Sequence, residues 1–196
     1  MSPAGTRRRI VVGITGASGA IYGIRMLEVL RDDASVETHA IVSEGAKATI
    51  GYETDRKIED VLALADVVYA EKDLAAAIAS GSFLTSAMVI APCSMRTAGA
   101  IASSLSDNLI VRAADVHLKE RRKLVLMVRE TPLHAGHLKL MYDLSLAGAV
   151  ILPPVPGFYQ RPATLQDLVD HSVGKALDQL GVAHELFRRW TGIPPR

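Results

Sequence analysis

Five short segments gather the residue types that could do chemistry. Gly13-Ile14-Thr15-Gly16-Ala17-Ser18-Gly19 follows the apolar run Ile10–Ile14 and precedes a helical pattern. Glycines in such a turn let the backbone approach a phosphate or a flat ring, and Ser18 offers a hydroxyl at the positive end of the next helix. The spacing is GxxGxxG, not the GxGxxG of dinucleotide folds. Ser43 follows the second strand, and Glu44 beside it leaves a ribose-binding acid open. A tight turn required only for packing explains the same glycines.

Pro92-Cys93-Ser94-Met95-Arg96-Thr97 follows the apolar string AMVIA. Ser94, Thr97 and the free N–H groups of a helix start suit an anion. Cys93 suggests a nucleophile, but no histidine base accompanies it, and a buried free cysteine behaves as a small hydrophobe. Arg112, Asp115 and Lys119 share one helical face. They read either as a supporting Asp115–Lys119 pair of about 0.2–0.5 kcal/mol or as two cations aimed at a phosphate. Arg129-Glu130 ends the LVLMV string, where a cation beside an acid suits phosphate binding with proton transfer, or else a plain ion pair. In Pro153-Pro154-Val155-Pro156-Gly157-Phe158-Tyr159 the prolines stiffen a loop presenting rings, and Tyr159 has a hydroxyl for a phosphate. His134 and His137 lack partners at metal-ligand spacing, so no metal site is expected.

The elements that must position these residues alternate. Strands are expected at Ile10–Ile14, Val36–Val42, Ala87–Ala91 (ended by Pro92), Leu124–Val128 and Ala149–Leu152. Leu62–Tyr69 is ambiguous, with Val67-Val68 its most strand-like part. Helices are expected at Ala20–Arg31, Glu44–Tyr52, Met95–Ala102, Leu109–Arg122, His137–Leu146 and Leu165–Leu180. The last is opened by a Thr164/Asp167 capping box and stopped by Gly181. Strands without polar alternation, each followed by a helix, predict a parallel sheet covered on both faces: an α/β, flavodoxin-like or Rossmann-like doubly wound single domain. Residues 1–9 are expected to be a flexible lead-in, 10–190 the domain and 191–196 a frayed tail.

Composition narrows the function further. The 196 residues are 49% hydrophobic and 22% charged, which describes a globular chain with a real core. Lys plus Arg total 22 against 21 Asp plus Glu, too balanced for a general nucleic-acid binder. No apolar run approaches the ~20 residues of a membrane span. A single cysteine excludes an internal disulfide, and a cytoplasmic protein of a reducing compartment is expected.

Five ordered strings, GITGASGAIYGIRML, SGSFLTSAMVIAPCSMRT, DNLIVRAADVHLKERRKLVLMVRETPLHAGHL and ILPPVPGFYQRP together with YETD, resemble the flavin prenyltransferase family (UbiX type) from about Ile10 to Trp190. The resemblance implies FMN binding and a homo-oligomer, a dodecamer, whose sites are completed by neighbouring subunits. It implies that the dimethylallyl group of dimethylallyl phosphate is joined to reduced FMN at N5 and C6. The prenylated FMN then serves a partner UbiD-type decarboxylase.

Carried over residue by residue, the resemblance implies FMN contacts at Gly16, Ala17, Ser18, Ser43, Ser94, Met95, Arg96, Thr97 and Arg129. The isoprenoid phosphate falls to Arg112, Lys119, Tyr159 and Lys175, and the prenyl group lies near Ser80. Glu130 and Glu53 are implied as active-site acids, with Ser18 also in the catalytic group. Lys175 stands where some relatives carry Arg, keeping charge without the bidentate fork. Leu74 stands where some members carry tryptophan. Such a reaction needs cations for the leaving phosphate and shielding from water, and no protein nucleophile. An FMN-dependent cysteine decarboxylase of related fold and a flavin-binding electron carrier are the rival readings.

Overall fold

The computed structural model describes residues 7–192. Six strands form one all-parallel sheet in the order β3-β2-β1-β4-β5-β6. They are β1 (Arg8–Ile14), β2 (Val36–Val42), β3 (Val67–Tyr69), β4 (Ala87–Cys93), β5 (Lys123–Val128) and β6 (Val150–Ile151). Of the two doubly wound patterns expected, this is the Rossmann order. β4 is buried along its whole length, as an apolar run covered on both faces must be.

Among the described residues seven α-helices connect and cover the strands: α1 (Ala20–Arg31), α2 (Glu44–Glu53), α3 (Ile58–Leu62), α4 (Met95–Ala102), α5 (Leu109–Lys119), α6 (Ala135–Leu146) and α7 (Leu165–Leu180). One core layer joins the sheet to α1, α2, α3 and α7 through Ile24, Leu27, Ile50, Val61, Val173 and Leu177. The other joins it to α4, α5 and α6 through Ile101, Ile110, Val111 and Leu144. In α7, Val169, Val173, Leu177 and Leu180 are buried at helical spacing. Burying each contributes about 1.5–3 kcal/mol, more than the roughly 1 kcal/mol of its Thr164/Asp167 capping box. Gly181 ends α7 with a φ of 68°.

Several boundaries differ from expectation, each for a local reason. β1 opens at Arg8, inside the segment expected to be flexible. Arg7 pairs with Asp66 at 2.9 Å, Arg8 donates to the Leu180 and Gly181 carbonyls, and Arg9 reaches Glu37. The rest of both expected terminal segments, residues 1–6 and 193–196, lies outside the described residues. Pro92 does not end β4. It cannot donate to the ladder, so the register shifts after Ile90 and pairing resumes at Cys93 with Val128. α5 stops at Lys119 because Arg121 turns to a φ of 56° and the Arg122 N–H returns to the His117 carbonyl. α6 starts at Ala135, capped by His134 through the Gly136 N–H.

Candidate active site

The chain leaves β1 and its neighbour β4 toward opposite faces of the sheet, which opens a crevice beyond their carboxyl ends. Thr15 ties the two strand ends together. Its hydroxyl donates to the Pro92 carbonyl at 2.7 Å and accepts the Ser94 N–H at 2.8 Å. On the other side, a Cβ on Gly16 would lie 3.0 Å from the Gly45 carbonyl carbon, so only glycine lets these two turns come this close. The resulting cleft, about 290 Å³, is lined by Thr15, Gly16, Ser43, Ser94, Arg96 and Thr97. Asp107 and Asn108, on the loop entering α5, complete its rim.

The starts of α1, α2, α4 and α5 border this crevice, and those of α1 and α2 already hold a carboxylate. Glu71 accepts the Glu44 N–H at the start of α2, at 2.9 Å. Glu53 accepts the Gly19 and Ala20 N–H groups at the start of α1, at 2.8 and 3.1 Å. At α4, Ser94 caps its own helix through the Thr97 N–H, leaving the first-turn Met95 and Arg96 N–H groups without an intrahelical acceptor. The start of α4 is therefore open to an anion. Arg96 is 84% exposed and lies 3.8 Å from Asp107, so its charge can turn to a ligand. The glycine walls and this helix start fit a flat ring carrying a phosphate monoester.

Ser18 does not stand at a bare helix terminus, as the sequence suggested, because Glu53 occupies that terminus. Burial works against the Glu53 carboxylate. Hydrogen bonds from Ser18, Gly19 and Ala20, with the charge of Arg129, nevertheless hold its carboxyl below the usual range. Burial raises the Tyr22 phenol, and the same Arg129 charge opposes the rise, so Arg129 sits within electrostatic reach of both. The Arg129 N–H donates to the Cys93 carbonyl, which seats the end of β5 against that of β4. Glu130 is exposed and accepts the Thr131 N–H at 3.0 Å. Among the described residues it makes no ion pair with Arg129, so the plain-pair alternative fails. Cys93 is fully buried and burial pushes its thiol up to about 12, which disfavours the thiolate. It is not a nucleophile.

The expected isoprenoid-phosphate residues fall into two groups. Arg112 donates to the Ala79 carbonyl and pairs with Asp115, both at 3.0 Å, so the helix pair is Arg112–Asp115 and not Asp115–Lys119. Lys119 pairs with Glu120 and lies against Gly81, where a Cβ would sit 2.8 Å from its ammonium. These cations and Ser80 belong to the α5 face of the sheet. Tyr159 and Lys175 belong to the α7 face. Tyr159 packs edge-on against Trp190 and hydrogen-bonds His171, while Lys175 lies 3.9 Å from Asp178. One chain thus brings Ser43, Ser94, Arg96 and Thr97 to a single cleft but holds the residues expected at the second phosphate on opposite faces. Leu74 is 48% exposed. Sequence reasoning missed Thr15, Gly45, His171 and Trp190. Only Trp190, the sole tryptophan, had a compositional signal.

A larger cleft, about 450 Å³, lies among the carboxyl ends of α4, α5 and α6 and includes Asp115, Lys119 and Asp143. Helix carboxyl ends disfavour anions, and this cleft faces the opposite edge of the sheet, so it is not the cofactor site. Among the described residues no group of three or more His, Cys, Asp or Glu is placed to hold a metal.

The flavoprotein family model matches residues 3–175. A flavin prenyltransferase UbiX from Thauera aromatica is 58% identical over 188 residues, covering 96% of each chain. The chain belongs to the UbiX-type flavin prenyltransferases. A crystal structure of AnUbiX (PadA1) in complex with FMN and dimethylallyl pyrophosphate superposes with a TM-score of 0.93 at 52% identity, covering 95% of this chain and 99% of that one. A dodecameric FMN-dependent UbiX-like decarboxylase from Escherichia coli O157:H7 gives 0.92 at 48%, covering 94% and 100%. Family membership over nearly the full length agrees with the resemblance of the five strings. No helix among the described residues is long and apolar enough to cross a membrane.

Proposed function

We propose that this protein transfers the dimethylallyl group of dimethylallyl phosphate to FMN, as a dodecamer acting in the cytoplasm and supplying a UbiD-type decarboxylase. Bound and reduced, FMN supplies the nucleophilic N5 and C6 and leaves as prenylated FMN. The start of α4, with Ser94, Met95, Arg96 and Thr97, holds its phosphate, while Gly16 and Ser43 line the slot and Ala17 follows on the same turn as Gly16. Ser18, Glu53 and Arg129 flank the ring. The leaving phosphate develops charge that Arg112, Lys119, Lys175 and the Tyr159 hydroxyl stabilise, with Ser80 beside the prenyl group. Glu130 handles the proton released on ring closure.

The observation that supports this reading is the match over nearly the full length to a UbiX structure holding FMN and dimethylallyl pyrophosphate; with it goes a second phosphate set, Arg112 and Lys119 on one face of the sheet and Tyr159 and Lys175 on the other. A cysteine decarboxylase or an electron carrier has no use for it. A complete set requires Arg112 and Lys119 of one copy to meet Tyr159 and Lys175 of another, which supports a shared site in an oligomer. Anaerobic incubation with reduced FMN and dimethylallyl phosphate, followed by mass spectrometry of the flavin, tests the reading. A prenyl mass increase is expected, and unchanged flavin across prenyl mono- and diphosphates would overturn it.

A further inference from the structure

We infer that His171 is a positioning residue for the prenyl-donor phosphate, acting through Tyr159 by holding its hydroxyl oxygen from behind so that its proton points outward. This rests on the assignment of Tyr159 to that phosphate. His171 Nε2 lies 3.1 Å from the Tyr159 hydroxyl, and the rings meet nearly edge-on at 82°. The imidazole is 8% exposed and seated against the backbone of the loop, where a Cβ on Gly157 would come 2.7 Å from its Cε1. That loop is PGFY, so the glycine two residues before Tyr159 makes room for the ring that holds it.

The direction of the bond follows from the other nitrogen. His171 Nδ1 is buried with no hydrogen-bond partner. A buried N–H without an acceptor is among the rarest features of folded proteins, whereas an idle lone pair is better tolerated. The tautomer assigned on this ground carries its proton on Nε2 and donates it to the Tyr159 oxygen. The tyrosine proton is then free for a phosphate oxygen. The opposite tautomer would consume that proton and present the phosphate with an acceptor. Burial, with the charge of Lys175 one helical turn away, disfavours a proton on the ring's second nitrogen, in keeping with a neutral donor. Trp190 packs against Tyr159 at 87° and fixes the ring from another side.

Steady-state kinetics of the intact oligomer, with FMN affinity measured separately, test the assignment. His171→Leu removes the donor and is expected to raise KM for dimethylallyl phosphate about tenfold and to lower kcat as well, because the Tyr159 hydroxyl also faces the charge developing on the leaving phosphate, with FMN affinity within about twofold of wild type. His171→Gln, whose amide can donate along the same line, is expected to restore KM to within about twofold. In a Tyr159→Phe background His171→Leu is expected to add nothing, because its target is gone. A wild-type KM in a folded His171→Leu protein would overturn the proposal. So would an undiminished His171→Leu effect in the Tyr159→Phe background, or a Gln variant no better than Leu. If the Leu variant does not fold, His171→Asn, polar but too short, replaces it with the same expectation. Tyr159→Phe alone separates the two failures. An unchanged KM there removes Tyr159 from the phosphate site, whereas a raised KM with a silent His171→Leu removes only the positioning role.

Discussion

Glu53 accepts the backbone N–H of Gly19 at 2.8 Å, so a carboxylate carried by α2 closes the start of α1. The positive end of α1 is spent on a protein acid that also takes a hydrogen bond from Ser18, whereas the first-turn N–H groups of α4 keep no intrahelical acceptor. Glu53 holds its neighbours as a hydrogen-bond acceptor, stabilising the helix start by about 0.3–1 kcal/mol.

Ser18→Asp should fold and lose FMN. The new carboxylate, where a hydroxyl had donated, would meet the flavin phosphate or ring acceptors with like charge, and two such charges ~4 Å apart repel by up to about 4 kcal/mol near a protein surface. Flavin absorbance of the purified variant and circular dichroism read the two halves. Normal FMN retention by a folded variant would take this turn out of the site.

Lys119→Ala and Tyr159→Phe should weaken the prenyl donor more than FMN. Losing a charge-assisted hydrogen bond of about 1.5–3 kcal/mol predicts a loss of tenfold or more for Lys119. Separate titrations of donor and FMN decide it. Equal losses for both ligands would mean that the second phosphate set is misplaced.

Glu130→Gln should leave FMN binding near wild type and slow single-turnover prenylation at least about a hundredfold, the lower end of general acid–base contributions. The carboxylate is exposed and, among the described residues, bonded only to the Thr131 N–H, so little stability is at stake. Stopped-flow spectroscopy of reduced, FMN-loaded protein is the measurement. Wild-type kinetics would leave catalysis to positioning and phosphate stabilisation.

Acidification should destabilise the fold before the carboxylates titrate. His117 is fully buried between the Ala113 carbonyl and Thr85, and burial depresses it from 6.5 to about 4. Between those values the unfolded chain binds a proton that the folded chain refuses, so stability falls as pH falls through that window. The loss is roughly 3 kcal/mol at most for this residue. His39 and His171 are lowered too and act in the same direction. Urea unfolding at pH 7.5 and pH 5 reads the difference, which His117→Gln should reduce; an undiminished difference would assign it to other groups.

Much of this was legible in one dimension because apolar period and capping chemistry are local. Ala20–Arg31, Val36–Val42, Met95–Ala102 and Leu165–Leu180 fall at the expected residues. The strand at Pro92 was misjudged because a bulge depends on the partner strand, which no local window contains. The cleft residues Gly16, Ser43, Ser94 and Thr97 were visible as turn chemistry after apolar strings. Glu53 was expected as an acid, but its bond to Gly19 spans 34 residues and comes only from packing α2 beside α1. Thr15 was hidden for the same reason: its two bonds reach 77 and 79 residues away. His171 looked like any polar residue on a helix face.

The placement of Arg112 with Lys119 on one face of the sheet, and Tyr159 with Lys175 on the other, has a genetic consequence. If every working site draws one half from each of two copies, a lesion at Lys119 and a lesion at Tyr159 need not coincide. Particles assembled from both kinds of chain would hold some sites with two lesions and some with none. Two alleles, each inactive alone, would then complement one another when expressed in the same cell, and two alleles damaged on the same face would not.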